Sequence, residues 1–221
     1  MTSGVPMAAA ALAGVPAGVQ AQGAWAGRRQ LFVRFAGEAE TATMYSSAAL
    51  VREIERQLGR SKFHSIVIGG RDPLANLQFL LTAFEASKPP LPVMLDTDGQ
   101  RPEALALLAP HLALTQVTVE FVGPDSALTH AIETISVAAG AGCANALVLC
   151  PREDTSDGQM LRLVEQAHGA SAAVQVVIHP TVVAGESPQL DRRWATLLEQ
   201  AMSTHADTML ALRLPPPAGL R

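Results

Sequence analysis

Cysteine, aromatic residues and concentrated positive charge are all scarce in this chain. Its 221 residues hold two cysteines, Cys143 and Cys150. That excludes a disulfide framework, and two thiols alone cannot complete a zinc or iron–sulfur site. They read as small buried hydrophobes in a reducing cytosol. Aromatics are 4% of the residues, and the 16 Lys and Arg are scattered among 20 Asp and Glu. A nucleic-acid surface needs clustered positive charge and stacking platforms, so none is expected. No apolar run reaches the roughly eighteen residues of a membrane span. The apolar stretch at 7–15 has no Lys or Arg before it and is broken by Pro16, which is not the pattern of a secretory signal. No GxGxxG follows the first strand-like run, which counts against a dinucleotide-binding sheet.

What is present is an apolar fraction of 48%, rich in Ala, Leu and Val, enough for one well-filled core. Residues 1–19 read as an Ala/Gly-rich N-terminal segment, and 20–221 as a single cytoplasmic domain. Short apolar or β-branched runs occur at 31–35, 65–68, 92–95, 116–119, 146–150 and 174–178. Between them apolar residues recur at three- and four-residue steps, as in Leu50, Val51, Ile54 and Leu58, or Leu74, Leu77, Leu80, Leu81 and Phe84. Residues 209–214 offer a further short strand. Six strand–helix units in succession predict an α/β fold with a parallel sheet covered on both faces. Right-handed crossovers allow either an open doubly wound sheet or a barrel, and six units rather than eight suit a partial one.

In a parallel βα barrel, chemistry sits where strands end and loops begin. Those positions hold Glu38, then Gly69, Gly70, Arg71 and Asp72, then Asp96 and Asp98. Glu120, then Arg152, Glu153 and Asp154, and finally His179 follow on the later strands.

Several of these stretches resemble a known family. The segment QAQGAWAGRRQLFVRFAG (residues 20–37) is similar to the QGEG, AGRP and FVRxAG words of 7-carboxy-7-deazaguanine synthases, which are radical S-adenosylmethionine enzymes. The resemblance is strong over 20–100, moderate over 145–180 and faint elsewhere. It implies a (β/α)6-like partial TIM barrel, the radical S-adenosylmethionine core, and a homodimer. IVIGGRDPLAN resembles the family's TGGEPLLQ, and MLDTDG its ETNG. The resemblance therefore implies S-adenosylmethionine contacts from Gly69, Gly70, Asp72, Asp96 and Thr97. It implies substrate contacts from Gln20 and Gly23 of the QGEG-like word, from the FVR arginine Arg34, and from His179, which stands where the family has Gln–Pro.

The departures are as telling. The family's CxxxCxxC cysteines fall here on Glu38, Ala42 and Tyr45. A carboxylate, a methyl group and a phenol cannot replace three thiolates on a soft cluster, so no [4Fe–4S] cluster is expected. The magnesium-binding Asp–Thr becomes Ser46–Ser47, a poor sole site for a hard divalent ion. Arg71 adds bulk in the glycine loop, Val148 replaces a lysine, and RLPPPAGLR lacks the family's C-terminal glutamine and histidine.

Three functions are in contention. The first is a cluster-less homologue acting as a pseudoenzyme, a binding protein for S-adenosylmethionine or a pterin-like acid, or a partner of an active homologue. The second is a repurposed enzyme in which Glu38, Asp72, Asp96, Asp98, Glu120 and His179 converge to hold Mg²⁺ or Mn²⁺ or to perform acid–base chemistry. The third is the family reaction itself, conversion of 6-carboxy-5,6,7,8-tetrahydropterin to 7-carboxy-7-deazaguanine, a step toward queuosine. The course of residues 38–47 separates the partner reading from the ligand reading. Filling the barrel mouth would close the ligand site, and leaving it open would favour binding.

Overall fold

The six apolar runs become six neighbouring parallel strands. A computed structural model describes residues 8–122, 126–180 and 192–211. In chain order the elements are β1 (Ala9–Gly14), β2 (Ala17–Val19), β3 (Arg29–Phe35), β4 (Thr43–Ser46) and α1 (Ser47–Leu58). They continue with β5 (Ser65–Gly70), a 3₁₀ turn (Pro73–Asn76), α2 (Leu77–Ala86), β6 (Val93–Thr97) and α3 (Pro102–Leu108). A second 3₁₀ turn (Ala109–His111), β7 (Leu114–Val119), α4 (Ser126–Gly140), β8 (Ala144–Leu149) and α5 (Asp157–Ala170) follow. The last elements are β9 (Gln175–Ile178), α6 (Arg192–Thr204) and β10 (Thr208–Leu210).

The strand order settles the choice that spacing left open. β3, β5, β6, β7, β8, β9 and β10 lie side by side in sequence order, all parallel. A doubly wound sheet reverses direction at a switch point, whereas this one never does. It is an α/β partial barrel, left open between its two edge strands, β4 and β10.

Alternation along each strand assigns the faces. Ile66, Ile68 and Leu95 point outward and pack with Leu50, Ile54, Leu80, Phe84 and Leu105 of the helices. Val117, Leu147, Leu149, Val176 and Ile178 do the same against α4, α5 and α6. The inner floor is a smaller apolar group, Val67, Met94, Leu114 and Ala146, capped by Ala24, Trp25 and Phe32.

Two sequence expectations are corrected here. Residues 9–19 are not a segment ahead of the domain, because β1 sits inside the sheet between β3 and β4, and β2 pairs with β3. Five small residues in β1, four Ala and one Gly, gave little hydrophobic pattern, but Leu12 is wholly buried against the β3 edge. Residues 38–47 are not a loop throughout. Thr43–Ser46 forms the antiparallel edge strand β4 on β1. The two serines at its end are structural: Ser46 Oγ caps α1 by accepting from Ala49 N at 3.2 Å, and Ser47 Oγ donates to the Phe79 carbonyl at 2.9 Å. Of the run expected at 209–214, β10 covers the first two residues, and those beyond 211 lie outside the described residues. No helix among the described residues is long and apolar enough to cross a membrane.

Candidate functional site

At the carboxyl ends of β5, β6 and β7 the inner face turns from apolar to polar and opens into a cleft of about 620 Å³. Its walls come from the β5 end (Gly70, Arg71), the β6 end (Asp96, Thr97, Asp98, Gln100) and the β7 end (Thr118, Glu120, Phe121, Val122). Gln22 closes one side, and Leu128 and Gln159 reach in from α4 and α5.

Asp96 and Gln116 are cross-strand neighbours on β6 and β7, both on the inner face. Thr118, two residues further along β7, donates its hydroxyl to Asp96 Oδ1 at 2.9 Å, and Gln116 Nε2 donates to the same oxygen at 3.4 Å. Burial pushes the Asp96 carboxyl above the ordinary carboxylate range, and the donors from Thr118 and Gln116 only partly offset it.

The far end of the Gln116 amide anchors the loop over residues 20–28. Ala24 N donates to Gln116 Oε1 at 3.3 Å. Gly23, at φ +82°, lies so close that an added Cβ would sit on the Gln116 amide. The loop is tied to itself by Gln20 N to Arg28 O (2.9 Å) and Gly27 N to Gln20 O (2.8 Å).

The DTDG turn is held from both sides. Thr97 Oγ1 accepts from Gly99 N at 3.2 Å, Asp98 Oδ1 accepts from Gln100 N at 3.1 Å, and the Gly99 carbonyl accepts from Thr134 of α4 at 2.8 Å. Among the described residues, Asp72 (φ 40°) and Phe121 (φ 50°) are the non-glycines with left-handed backbone, and both belong to mouth loops. Such conformations persist only where the surroundings over-determine them, and they concentrate at ligand sites.

The sequence-predicted residues divide accordingly. Gly70, Asp96 and Thr97 line the cleft, and so do Arg71, Asp98 and Glu120 of the expected rim. Gly69 lies against Asp96, and Gly23 against Gln116.

Asp72 is not in the cleft wall. Arg101 holds its carboxylate from two sides, Nε to Oδ1 at 2.8 Å and a terminal nitrogen to Oδ2 at 2.7 Å. These hydrogen bonds keep the Asp72 carboxyl below its usual range. Arg34 is likewise engaged: it pairs with Glu40 at 2.9 Å, and Glu40 also accepts from Gly37 N, closing the turn after β3. Gln20 is buried at the base of its loop, and Gln22 takes the place in the wall. His179 is buried at the end of β9, with Nδ1 2.7 Å from the Ala211 carbonyl, away from the cleft lining.

Sequence reasoning missed Gln116, Thr118, Gln22, Gln100 and Gln159. The signal for the first two was in QVTV, residues 116–119, where polar side chains alternate with valines and so share one face.

A [4Fe–4S] cluster does not fit this chain. Glu38 and Ala42 are exposed, Tyr45 packs against the outer core from β4, and the two buried thiols flank β8. Nor do the acids expected at the mouth converge with His179. Among the described residues no three His, Cys, Asp or Glu side chains are grouped to hold a metal ion.

No protein-family model matches the chain, and no curated protein matches it in sequence. Among solved structures, Streptococcus suis SuiB is similar at a TM-score of 0.56 and 15% identity, over 81% of this chain and 45% of that one. This chain thus spans under half the length of that neighbour, and at such identity the likeness shows the fold alone. A structure assigned as a fructose-1,6-biphosphate aldolase from Coccidioides immitis matches at TM-score 0.30 and 17% identity, over 76% of this chain and 69% of that one.

Proposed function

We propose that the chain is a cluster-less, ligand-binding relative of the radical S-adenosylmethionine fold, taking S-adenosylmethionine in the mouth cleft as a ligand rather than cleaving it. The carrying observation is the course of residues 38–47. They turn away into edge strand β4, none of them lines the cleft, and the mouth stays open. The cleft volume lies in the range of small-molecule pockets, about 300–1,000 Å³.

Three further features support the reading. Gly70, Asp96 and Thr97, the loop positions that the family resemblance assigns to this ligand, are in the wall. The rim carries Asp98 and Glu120 against one Arg71, which favours the sulfonium and ammonium charges of S-adenosylmethionine. Positions 38, 42 and 45 carry no thiolate, so this chain supplies no cluster to deliver the electron that sulfonium cleavage needs. A pterin-like acid is the weaker candidate, because the arginine expected to meet its carboxylate, Arg34, is turned to Glu40.

Isothermal titration tests this. S-adenosylmethionine should bind with a dissociation constant between about 1 µM and 1 mM, the range of ordinary metabolite sites. No heat at millimolar ligand would refute the ligand reading and leave the partner-protein version.

A further inference from the structure

The hydrogen bonds around Asp96 fix which of its two oxygens a proton would occupy. Ala24 N–H can only donate, so the group it meets on Gln116 is the carbonyl oxygen, and the amide nitrogen must face Asp96. Thr118 donates its hydroxyl to the same carboxyl oxygen, Oδ1. With two donors aimed at it, Oδ1 serves as the acceptor, and a neutral carboxyl carries its hydrogen on Oδ2. That second oxygen has no partner among the described residues, and Asp96 itself forms part of the cleft wall. The cleft therefore meets an O–H donor when Asp96 is neutral and a bare carboxylate oxygen when it is ionised.

The charges facing Asp96 indicate which form a ligand selects. The β5 end brings Arg71, the β6 end Asp98 and the β7 end Glu120. The loop over 20–28, α4 and α5 contribute only amides and aliphatic groups. Two carboxylates against one guanidinium leave the cleft net negative before Asp96 is counted. Desolvation raises the Asp96 carboxyl in the empty cleft and so favours its neutral form, and an arriving cation supplies the opposite charge that would favour the ionised one.

We infer that the cleft takes a ligand with a positive centre, sulfonium or ammonium, which docks against Asp96 Oδ2 in exchange for the proton on that oxygen. The inference rests on the ligand-binding reading above and adds to it a counter-ion and a proton count. The proton leaves Oδ2 for solvent as the cation arrives, so charge at Asp96 stays balanced.

The test is titration of the full chain with S-adenosylmethionine in phosphate and in Tris, two buffers of low and high ionisation enthalpy, from acidic to mildly alkaline pH. Where Asp96 is neutral in the free protein, the heats should differ by the release of about one proton per ligand, and affinity should rise by up to about tenfold per pH unit. Asp96→Asn keeps the acceptor for Gln116 and Thr118 and mimics the neutral acid. It should lose both the proton release and the pH dependence, and bind about tenfold more weakly. Binding with no proton exchange, or with proton uptake, overturns the inference and leaves the ligand reading intact. The same follows if Asp96→Asn keeps the wild-type pH dependence. Absence of binding overturns both. The buffer comparison on the unmodified chain needs no variant to fold.

Discussion

Gly70 is the position where the mouth most depends on a missing side chain. It ends β5 at φ +96°, and a Cβ there would lie 2.3 Å from the Phe35 carbonyl oxygen and 2.8 Å from the Phe35 nitrogen. Real Cβ contacts essentially never fall below 3.0 Å. The obstacle is backbone of the neighbouring strand, not the flexible tip of a side chain, so β3 and β5 must part to admit a methyl group. Their separation breaks the Phe35–Gly70 register and the bond from Arg71 N to the Phe35 carbonyl, now 3.0 Å. The left-handed backbone costs an alanine about 1–2 kcal/mol, and the lost hydrogen bond costs roughly 1 more. With the strand displacement, Gly70→Ala should lose about 3–4 kcal/mol. Gly27 is the matched control, with φ +78° and nothing within 4 Å of the added Cβ. Gly27→Ala should cost only the backbone preference, about 1–2 kcal/mol. Urea unfolding of the two variants beside the parent measures both. Equal losses would refute the close approach of β3 and β5 at the mouth.

Two further predictions concern pH. Hydrogen bonds from Arg101 hold the Asp72 carboxyl low in the folded state, so their stabilisation is present above the ordinary carboxylate value and is lost as pH falls through the lowered one. The two side chains keep 42% and 35% of their exposure, so Arg101→Met should cost no more than about 1 kcal/mol at neutral pH and flatten the acid limb of the stability profile. Urea midpoints measured from neutral to strongly acidic pH check this, and an unchanged acid limb would count against the pair. Asp96 runs the other way. Its folded carboxyl is raised, so the empty protein is favoured below the unfolded carboxylate value and loses stability as pH rises through the folded one. Asp96→Asn should therefore melt higher than the parent at mildly alkaline pH, by roughly a few degrees, and equally in acid. Matching melting temperatures at both pH values would sink the reading of a raised carboxyl at Asp96.

Much of the barrel was legible because its outer layer obeys simple periods. Leu50, Ile54 and Leu58 place α1 at residues 47–58, as the structure has it, and the six apolar runs fall on β3 and β5 to β9. Strand β4 was not legible. Met44 is 66% exposed, the strand has four residues, and its pairing with β1 joins segments about thirty residues apart. Nothing local marks such an edge, since β preference depends on the neighbours a strand acquires. β1 failed for the opposite reason: AAALAG has too little side chain to show an alternation, and its place comes from the gap that small residues can fill between β3 and β4.

The site divides along the same line. Strand ends named Gly70, Asp96, Asp98 and Glu120, because a parallel barrel fixes where loops begin, and the family resemblance added Thr97. Spacing could not say which of them have other obligations. Arg101 comes twenty-nine residues after Asp72, and only the folded loop brings its guanidinium across that carboxylate. Gln116 is the reverse case, a residue inside a strand that becomes central because both ends of its amide are used. Along the inner face the chain runs from Val67, Met94 and Leu114 at the floor to Asp96 and Thr118 at the mouth. The helices pack mainly on the outward residues of the same strands. A change at Asp96 or Thr118 thus alters the lining of the cleft while leaving the helix-facing core alone. A sheet so partitioned can lose the residues of one chemistry and keep both its fold and an open site.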